Sequence, residues 1–308
     1  MADPACKDRI VQQLIEWGTG REDLRAMLWT SSRTNPAATV DVLSDYDIIL
    51  VVEDIIPYYE DESWLEDFGR VLVLYRDPLR LESGCQRFAR ITQYEGGLKI
   101  DFGVWPIELL RKIAADPVLP DFLDVGYCVI LDKDGLATGL RQPSYRAFIP
   151  SPRAETFFQE TIEEFFHEAT YVVKHFWRDD LIAAKYNLEF MMKYDLLRRM
   201  LEWQIEIDHG WSVKLGAYGR GLKKWTRPEI WVEFENTFTG ANIADNWIAL
   251  FRTVDLFRKV ALDVAAHLGY KYLHDLDRRT VKYLHSVERL DRQAEVFPEN
   301  FNRRNSYE

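Results

Sequence analysis

Residues 31–52, SSRTNPAATVDVLSDYDIILVV, place a polar turn and a pair of acidic residues directly before an apolar run. The run at residues 48–52 is short and rich in β-branched side chains, which predicts a buried strand. Asp45 and Asp47 lie two residues apart at its entrance. Because alternate side chains of a strand point to the same face, we expect these carboxylates to share one face. Neighbouring carboxylates repel unless a proton or a cation relieves them, and Mg²⁺ prefers such oxygen ligands.

A third carboxylate follows in a second predicted strand, residues 98–104, LKIDFGV. Apolar residues alternate there with Lys99, Asp101 and Gly103, so Asp101 is expected on the face away from the apolar one. Two strands of one sheet can bring three carboxylates to one place, as a site for two metal ions requires. The simpler alternative for the Asp-x-Asp pair is a solvated strand end without a function.

These motifs resemble those of a known enzyme superfamily. A small residue and a serine in a turn, an Asp-x-Asp strand and a later single Asp are the pattern of the polymerase β-like nucleotidyltransferases. Within that superfamily the chain is similar to the aminoglycoside 6-adenylyltransferases, which inactivate streptomycin. The similarity covers nearly the whole chain and rests on the segments SSRTNP, SDYDI, KIDFGV, EEFFHEATYVVK, FWRDDLIAAKY, LLRRMLEW, YGRGLKK and DLFRKVA.

The chain departs from the family at one position of the turn. The family usually has Gly-Ser-Arg, whereas this chain has Ser31, Ser32 and Arg33. A glycine at the first position lets the backbone approach the nucleotide phosphates and adopt dihedral angles that other residues rarely use.

The resemblance implies roles for residues in both halves of the chain. In the first half, the carboxylates of Asp45, Asp47 and Asp101 would be catalytic and would hold Mg²⁺ on the phosphates of ATP, and Ser32 and Arg33 would contact the nucleotide. In the second half, the family pattern carries over onto a carboxylate and three cations: Glu164, Lys174, Arg178 and Lys185.

The second-half residues also support this reading by their spacing. Lys174 and Arg178 lie four residues apart and share a helix face, and Lys185 begins the next helix. Lysine and arginine neutralise triphosphate charge, although ordinary surface charge is the alternative. Glu164 borders an apolar stripe, so we expect it to be partly buried and to act as a general base or an ammonium anchor. The alternative for Glu164 is a capping or surface acid.

The order of predicted elements indicates an α+β protein with two domains. Strands and helices mix through the first 150 residues, including an apolar run at residues 71–75 that predicts a buried strand ending at Asp77 and Pro78. Prolines punctuate residues 141–152, and the later periodicity is helical. We therefore predict a nucleotidyltransferase domain with a mixed sheet at residues 1–150 and a helical, substrate-binding bundle at residues 151–308. The active site is expected in the cleft between them.

Charge and cysteine content narrow the classes of partner and compartment. The net charge is −11, and residues 1–150 carry 16 Lys and Arg against 25 Asp and Glu. This acidic half argues against DNA or RNA as a partner and suits a cationic small molecule, although plain solubility explains it equally well. Cys6, Cys85 and Cys128 lack paired spacing, which predicts reduced thiols in a cytoplasmic protein. No signal pattern or membrane-spanning apolar window is present, and the oligomeric state stays open.

These patterns together predict a nucleotidyltransferase. By resemblance, it would transfer AMP from ATP, with Mg²⁺, to the 6-hydroxyl of streptomycin and so confer antibiotic resistance. One alternative keeps the chemistry and changes the acceptor to another aminoglycoside or a protein side chain. A second alternative is a non-catalytic nucleotide-binding homologue, because Ser31 replaces the glycine. The intact Asp45, Asp47 and Asp101 argue against that alternative.

Overall fold

A mixed six-stranded sheet forms the centre of the first of two compact units, which divide between Phe148 and Ile149 in this computed structural model. The structure describes residues 8–297. The strands are β1 (Leu24–Thr30), β2 (Tyr46–Val52), β3 (Val71–Glu82), β4 (Cys85–Tyr94), β5 (Lys99–Pro106) and β6 (Tyr127–Asp132). Their order is β3-β4-β5-β2-β1-β6, with β2 and β5 parallel and the other neighbours antiparallel. The predicted mixed sheet is confirmed.

Helical segments cover both faces of this sheet. The segments on one face are α1 (Arg9–Thr19), α2 (Ile56–Glu60) and a 3₁₀ segment (Ser63–Phe68), and those on the other are α3 (Ile107–Ala115) and α4 (Asp121–Asp124). Ile48 and Leu50 pack into the first core, whereas Ile49 and Val51 pack into the second. Burial on both faces explains why β2 is a continuous apolar run without polar alternation.

The outermost strand differs from its prediction. We expected a buried strand that ends near Asp77 and Pro78, but β3 continues to Glu82 through an irregularity in its pairing with β4. Leu72, Val73 and Tyr75 are 62%, 62% and 59% exposed. An edge strand has only one neighbour and tolerates proline, so its apolar run gives no evidence of burial here.

The second unit is a helical bundle, as the periodicity predicts. Its elements are α5 (Glu155–Trp177), α6 (Leu181–Lys185), a π-helix (Tyr186–Leu197), α7 (Arg198–Asp208), a 3₁₀ turn (Ala217–Gly219), α8 (Leu222–Trp225), α9 (Pro228–Glu235), α10 (Ile243–Leu268) and α11 (His274–Glu288). The predicted apolar stripe of α5 is buried, and the ring of Phe165 stacks on Phe257 of α10 with centroids 3.6 Å apart. The short helices α8 and α9 were not predicted.

A fully buried lysine of the π-helix, Lys193, connects this helix to the segment that follows α9. The ammonium of Lys193 donates to both carboxylate oxygens of Glu189, at 3.1 and 3.0 Å, and to the carbonyl of Thr237 at 2.5 Å. Glu189 also accepts a hydrogen bond from Lys185 at 3.0 Å. Burial lowers the pKa of Lys193, while the charge of Glu189 opposes that shift. One carboxylate therefore serves two lysines.

Two further observations concern membrane-spanning helices and the cysteines. Within residues 8–297, no helix is both long enough and apolar enough to cross a membrane. Cys85 and Cys128 form no disulfide bond within residues 8–297, and Cys6 lies outside the described residues.

We predict that Lys193→Met destabilises the protein by about 3 kcal/mol, because Glu189 loses a buried counter-charge and the Thr237 carbonyl loses its donor. Lys185→Met, at the same carboxylate but 22% exposed, should cost about 1 kcal/mol or less. Chemical denaturation of both variants measures the difference. Equal losses would contradict the assignment of Lys193 as the structural partner.

Candidate functional site

The polar turn after β1 carries a serine in a conformation that favours glycine. Ser31 has φ +72° and begins a 3₁₀ segment, Ser31–Thr34. Its backbone N–H donates to the carbonyl of Gly126 at 3.0 Å, and its hydroxyl partly offsets the rise in the pKa of Asp47. Such a left-handed backbone costs about 1 kcal/mol or more for a residue with a side chain. Ser31 therefore has a backbone conformation that favours glycine, although it carries a side chain.

Arg33 holds the loop that carries the first aspartate. Its guanidinium donates to the carbonyls of Ser44, at 2.7 Å, and Asp45, at 3.0 Å. The same group lies over the ring of Tyr46, 4.0 Å from the centroid, and 4.0 Å from the carboxylate of Asp8. In this structure Arg33 thus positions Asp45 through the backbone, and its contact with the nucleotide stays a prediction. Ser32 lies in the same turn.

The structure brings the three predicted aspartates of the first unit together where the central strands β2 and β5 begin. In the parallel pairing of β2 with β5, Asp47 lies directly opposite Asp101. Lys99 joins Asp45 to this pair, because its ammonium lies 2.5 Å from Oδ2 of Asp45 and 3.1 Å from Oδ2 of Asp101. We call Asp45, Asp47, Asp101 and Lys99 the acidic cluster.

Burial and mutual repulsion disfavour the charged forms of the carboxylates in the acidic cluster. Burial raises the pKa of Asp47 to about 6, and the charges of Asp101 and Asp45 act in the same direction. Burial also raises the pKa of Asp101, although Lys99 opposes that shift. Burial by itself lowers the pKa of Lys99, but its contacts with Asp45 and Asp101 outweigh this and raise it. Lys99 is therefore a cation that holds together carboxylates that repel one another.

The acidic cluster has the donor chemistry of a divalent-cation site. Oδ1 of Asp101 is buried without a hydrogen-bond partner, and carboxylate oxygens are the ligands that Mg²⁺ prefers. Across residues 8–297, however, no three His, Cys, Asp or Glu side chains are arranged to hold a metal ion as they stand. The ammonium of Lys99 takes the place of a cation between two of the carboxylates.

The predicted residues of the second half lie in the helical unit, where most have partners of their own. Lys174 lies over the ring of Tyr171, 4.1 Å from the centroid, and Arg178 is the exposed residue that ends α5. Lys185 donates to Glu189 at 3.0 Å and to the carbonyl of Thr239 at 2.9 Å. Lys174 and Arg178 lie one turn apart, as their spacing predicts.

The expected burial of Glu164 is wrong. Glu164 is exposed, because the buried stripe of α5 passes through the neighbouring residues Phe165 and Phe166 instead. Its carboxylate lines an open groove of about 710 Å³ together with Glu160, Glu163, Phe166, His167, Thr170, Leu276 and Thr280. Three carboxylates beside an apolar wall form a surface that suits a cationic ligand.

Sequence reasoning missed the role of Lys99. The signal was present, because Lys99 and Asp101 lie two apart on one strand and therefore share a face. The pairing register that brings Asp45 within reach of the same ammonium is a tertiary feature, which the local pattern does not contain.

The chain is similar to known proteins over most of its length. The streptomycin adenylyltransferase family profile matches residues 6–287. The chain is 30% identical to an aminoglycoside 6-adenylyltransferase of Bacillus subtilis (strain 168), over 89% of this chain and 94% of that protein. It is 27% identical to one of Campylobacter jejuni, over 81% and 84%.

A crystal structure of an aminoglycoside 6-adenyltransferase from Bacillus subtilis aligns over 91% of this chain and 98% of its own, with 24% identity and a TM-score of 0.44. The extent of the profile match and the identity to the first relative are sufficient to place the chain. This protein, with its mixed sheet, acidic cluster and helical bundle, belongs to the streptomycin adenylyltransferase family.

Proposed function

We propose that this protein transfers AMP from ATP to a hydroxyl group of an aminoglycoside, and that the acceptor is the 6-hydroxyl of streptomycin. The observation that carries the proposal is the register that sets Asp47 beside Asp101, with Asp45 joined to them through Lys99. The relatives named aminoglycoside 6-adenylyltransferase support the acceptor class. We infer that the protein acts in the cytoplasm, where ATP is available, and that the modification confers resistance.

Asp101 is the residue best suited to receive the proton of the acceptor hydroxyl. Its Oδ1 has no hydrogen-bond partner, and burial raises its pKa, which makes its carboxylate a better proton acceptor. The hydroxyl oxygen then forms a bond to the α-phosphorus of ATP, while the bond from that phosphorus to the bridging oxygen breaks and pyrophosphate leaves. Asp101 returns its proton to solvent after the transfer.

Asp45, Asp47 and Asp101 are the residues that would hold Mg²⁺, which supplies charge neutralisation on the phosphates when bound. Arg33 fixes the loop that carries Asp45, and the hydroxyl of Ser31 favours the charged form of Asp47. Ser32 and the cations of the helical unit are proposed to bind nucleotide phosphates, because charge-assisted hydrogen bonds to phosphate oxygens are strong. These cations are Lys174, Arg178 and Lys185.

Glu164 is proposed to anchor a cationic group of the aminoglycoside. Its exposure and the two other glutamates of its groove support an ammonium anchor rather than a general base, since a base works best when partly desolvated. The excess of acidic residues in the first 150 positions would add long-range attraction for a polycationic acceptor.

The geometry of the turn bears on the non-catalytic alternative. Ser31 adopts a left-handed backbone, the conformation that favours glycine, so the conformation of the turn does not by itself argue for an inactive site. A different acceptor remains the second reading, and a panel of aminoglycosides tests it. Pyrophosphate release from ATP with each drug, with the product mass, identifies the acceptor. If pyrophosphate is released from ATP when no drug of the panel is present, the aminoglycoside assignment is wrong.

Replacing a carboxylate of the acidic cluster tests its role directly. Asp45→Asn, Asp47→Asn and Asp101→Asn should each lower AMP transfer at least about a hundredfold, because each removes a charge that acts on the phosphates or the acceptor. The exposed Asp121→Asn in the same unit is the matched control and should transfer normally. Folding is checked by thermal unfolding. Near wild-type turnover in Asp45→Asn or Asp47→Asn would refute the metal assignment.

Two substitutions at Ser31 separate backbone strain from the hydroxyl contact. Ser31→Gly relieves the left-handed strain, so we expect turnover equal to or above that of the wild type. Ser31→Ala keeps the strain and removes the hydroxyl that favours the charged form of Asp47, so we expect lower turnover. Steady-state rates with Mg²⁺ and ATP measure both. A large loss in Ser31→Gly would show that the hydroxyl matters more than the strain.

The acceptor anchor is tested by Glu164→Gln. Streptomycin binding should weaken about tenfold, whereas ATP binding should stay unchanged, because the variant removes one charge from the acidic groove. Binding to the wild type should also weaken as salt rises, since exposed charges are screened over roughly 8–10 Å. Isothermal titration with each ligand separately gives both affinities. Glu229→Gln, an exposed control in the same unit, should leave both unchanged, and an equal effect there would remove the anchor assignment.

A further inference from the structure

Lys99 occupies the position between carboxylates that a cation would need. Its ammonium lies 2.5 Å from Oδ2 of Asp45 and 3.1 Å from Oδ2 of Asp101. The side chains of Lys99, Asp45 and Asp101 are 28%, 38% and 24% exposed. These ion pairs are therefore neither fully buried nor fully exposed to solvent. A divalent cation that binds these oxygens would lie close to the ammonium, and the two positive charges would repel each other.

We propose that Lys99 is an internal competitor for the divalent cation and exchanges with it when the nucleotide binds. The proposal deepens the function proposed above and rests on its assignment of the three carboxylates to the cation. Without nucleotide, Lys99 neutralises the acidic cluster and keeps free divalent cations weakly bound. The nucleotide brings phosphate charge with its cation, and these phosphates can receive the displaced ammonium.

Repulsion between the ammonium and an incoming cation supports an exchange rather than simple addition. A divalent cation on the oxygens that Lys99 contacts would lie close to the ammonium, and the repulsion between these two positive charges favours movement of the ammonium to another anion. Oδ1 of Asp101 has no partner, so one oxygen of the cluster is available before Lys99 moves. Lys99 donates to Asp45 and Asp101, whereas at Asp47 the charge of Lys99 and the hydroxyl of Ser31 only favour the charged form of the carboxylate.

A structural salt bridge is the competing explanation for Lys99, and it makes the opposite prediction. If Lys99 only held β5 to the loop of Asp45, its removal would loosen the carboxylates and weaken cation binding. If Lys99 competes, its removal leaves three carboxylates without a counter-charge and strengthens cation binding. The direction of the change in cation affinity therefore separates the two roles.

The test is a titration of Mn²⁺ without nucleotide or drug, followed by electron paramagnetic resonance of the free ion. Lys99→Met should bind Mn²⁺ at least about tenfold more tightly than the wild type, because a fixed positive charge is lost from the site. Lys99→Arg should behave as the wild type. Lys112→Met removes the same charge at a pair with Glu108 outside the acidic cluster and should leave Mn²⁺ affinity unchanged.

A second variant and a second ligand complete the test. Lys99→Gln keeps hydrogen-bond donors and loses the charge, so it should also bind Mn²⁺ more tightly than the wild type. This variant takes the place of Lys99→Met in the test if Lys99→Met does not fold. Mn²⁺ should raise the unfolding temperature of the uncharged variants more than that of the wild type. The preformed complex of Mn²⁺ with α,β-methylene-ATP should bind the uncharged variants no more tightly than the wild type, since they lack the ammonium that meets the phosphates.

Unchanged or weaker Mn²⁺ binding in both uncharged variants would overturn the proposal. An equal gain for free Mn²⁺ and for the nucleotide complex would overturn the exchange, because Lys99 would then oppose the cation in both states. The titration contains no ATP or aminoglycoside, so it is independent of AMP transfer. A wild type that transfers no AMP would refute the proposed function and leave the Mn²⁺ result to be judged by itself.

Discussion

The parallel pairing of β2 with β5 is the constraint on which the acidic cluster depends. Parallel strands need a long crossover, and the hairpin of β3 and β4 lies within it. This connection lets Asp47 and Asp101, which are far apart in sequence, lie opposite each other. A shift of one residue in the register would move one carboxylate to the other face of the sheet. The apolar side chains that follow each aspartate, buried on both faces, fix that register.

The same register places like charges side by side at a partly desolvated edge. The raised pKa of Asp47, about 6, reports that burial and the neighbouring carboxylates disfavour its charged form. The chain offsets this with the ammonium of Lys99 and the hydroxyl of Ser31. Ser31 contributes while its own backbone is strained, so the hydroxyl contact and the dihedral strain act against each other at one residue.

Local patterns in the sequence were sufficient for most of this fold. Alternation and apolar runs identified β2 and β5, and helical periodicity identified the long helices of the bundle. The pattern failed where position in the sheet decides burial, as in β3, whose apolar run lies on the outer edge. It also failed for Glu164, because one residue of helix rotation separates an exposed from a buried position. Pairings between distant residues, such as Lys99 with Asp45, depend on register and lay beyond local reasoning.

In the helical unit, the carboxylate of Glu189 likewise accepts hydrogen bonds from two lysines, Lys185 and Lys193. Lys193 is fully buried and holds both oxygens of Glu189, whereas Lys185 reaches the same carboxylate from a partly exposed position. If Lys185 turns to a phosphate, as the proposed function requires, Glu189 keeps the counter-charge of Lys193. The bundle would then lose no buried ion pair when Lys185 leaves, which lowers the cost of using that lysine for binding. In both units, the lysine that is proposed to meet a phosphate is only partly buried.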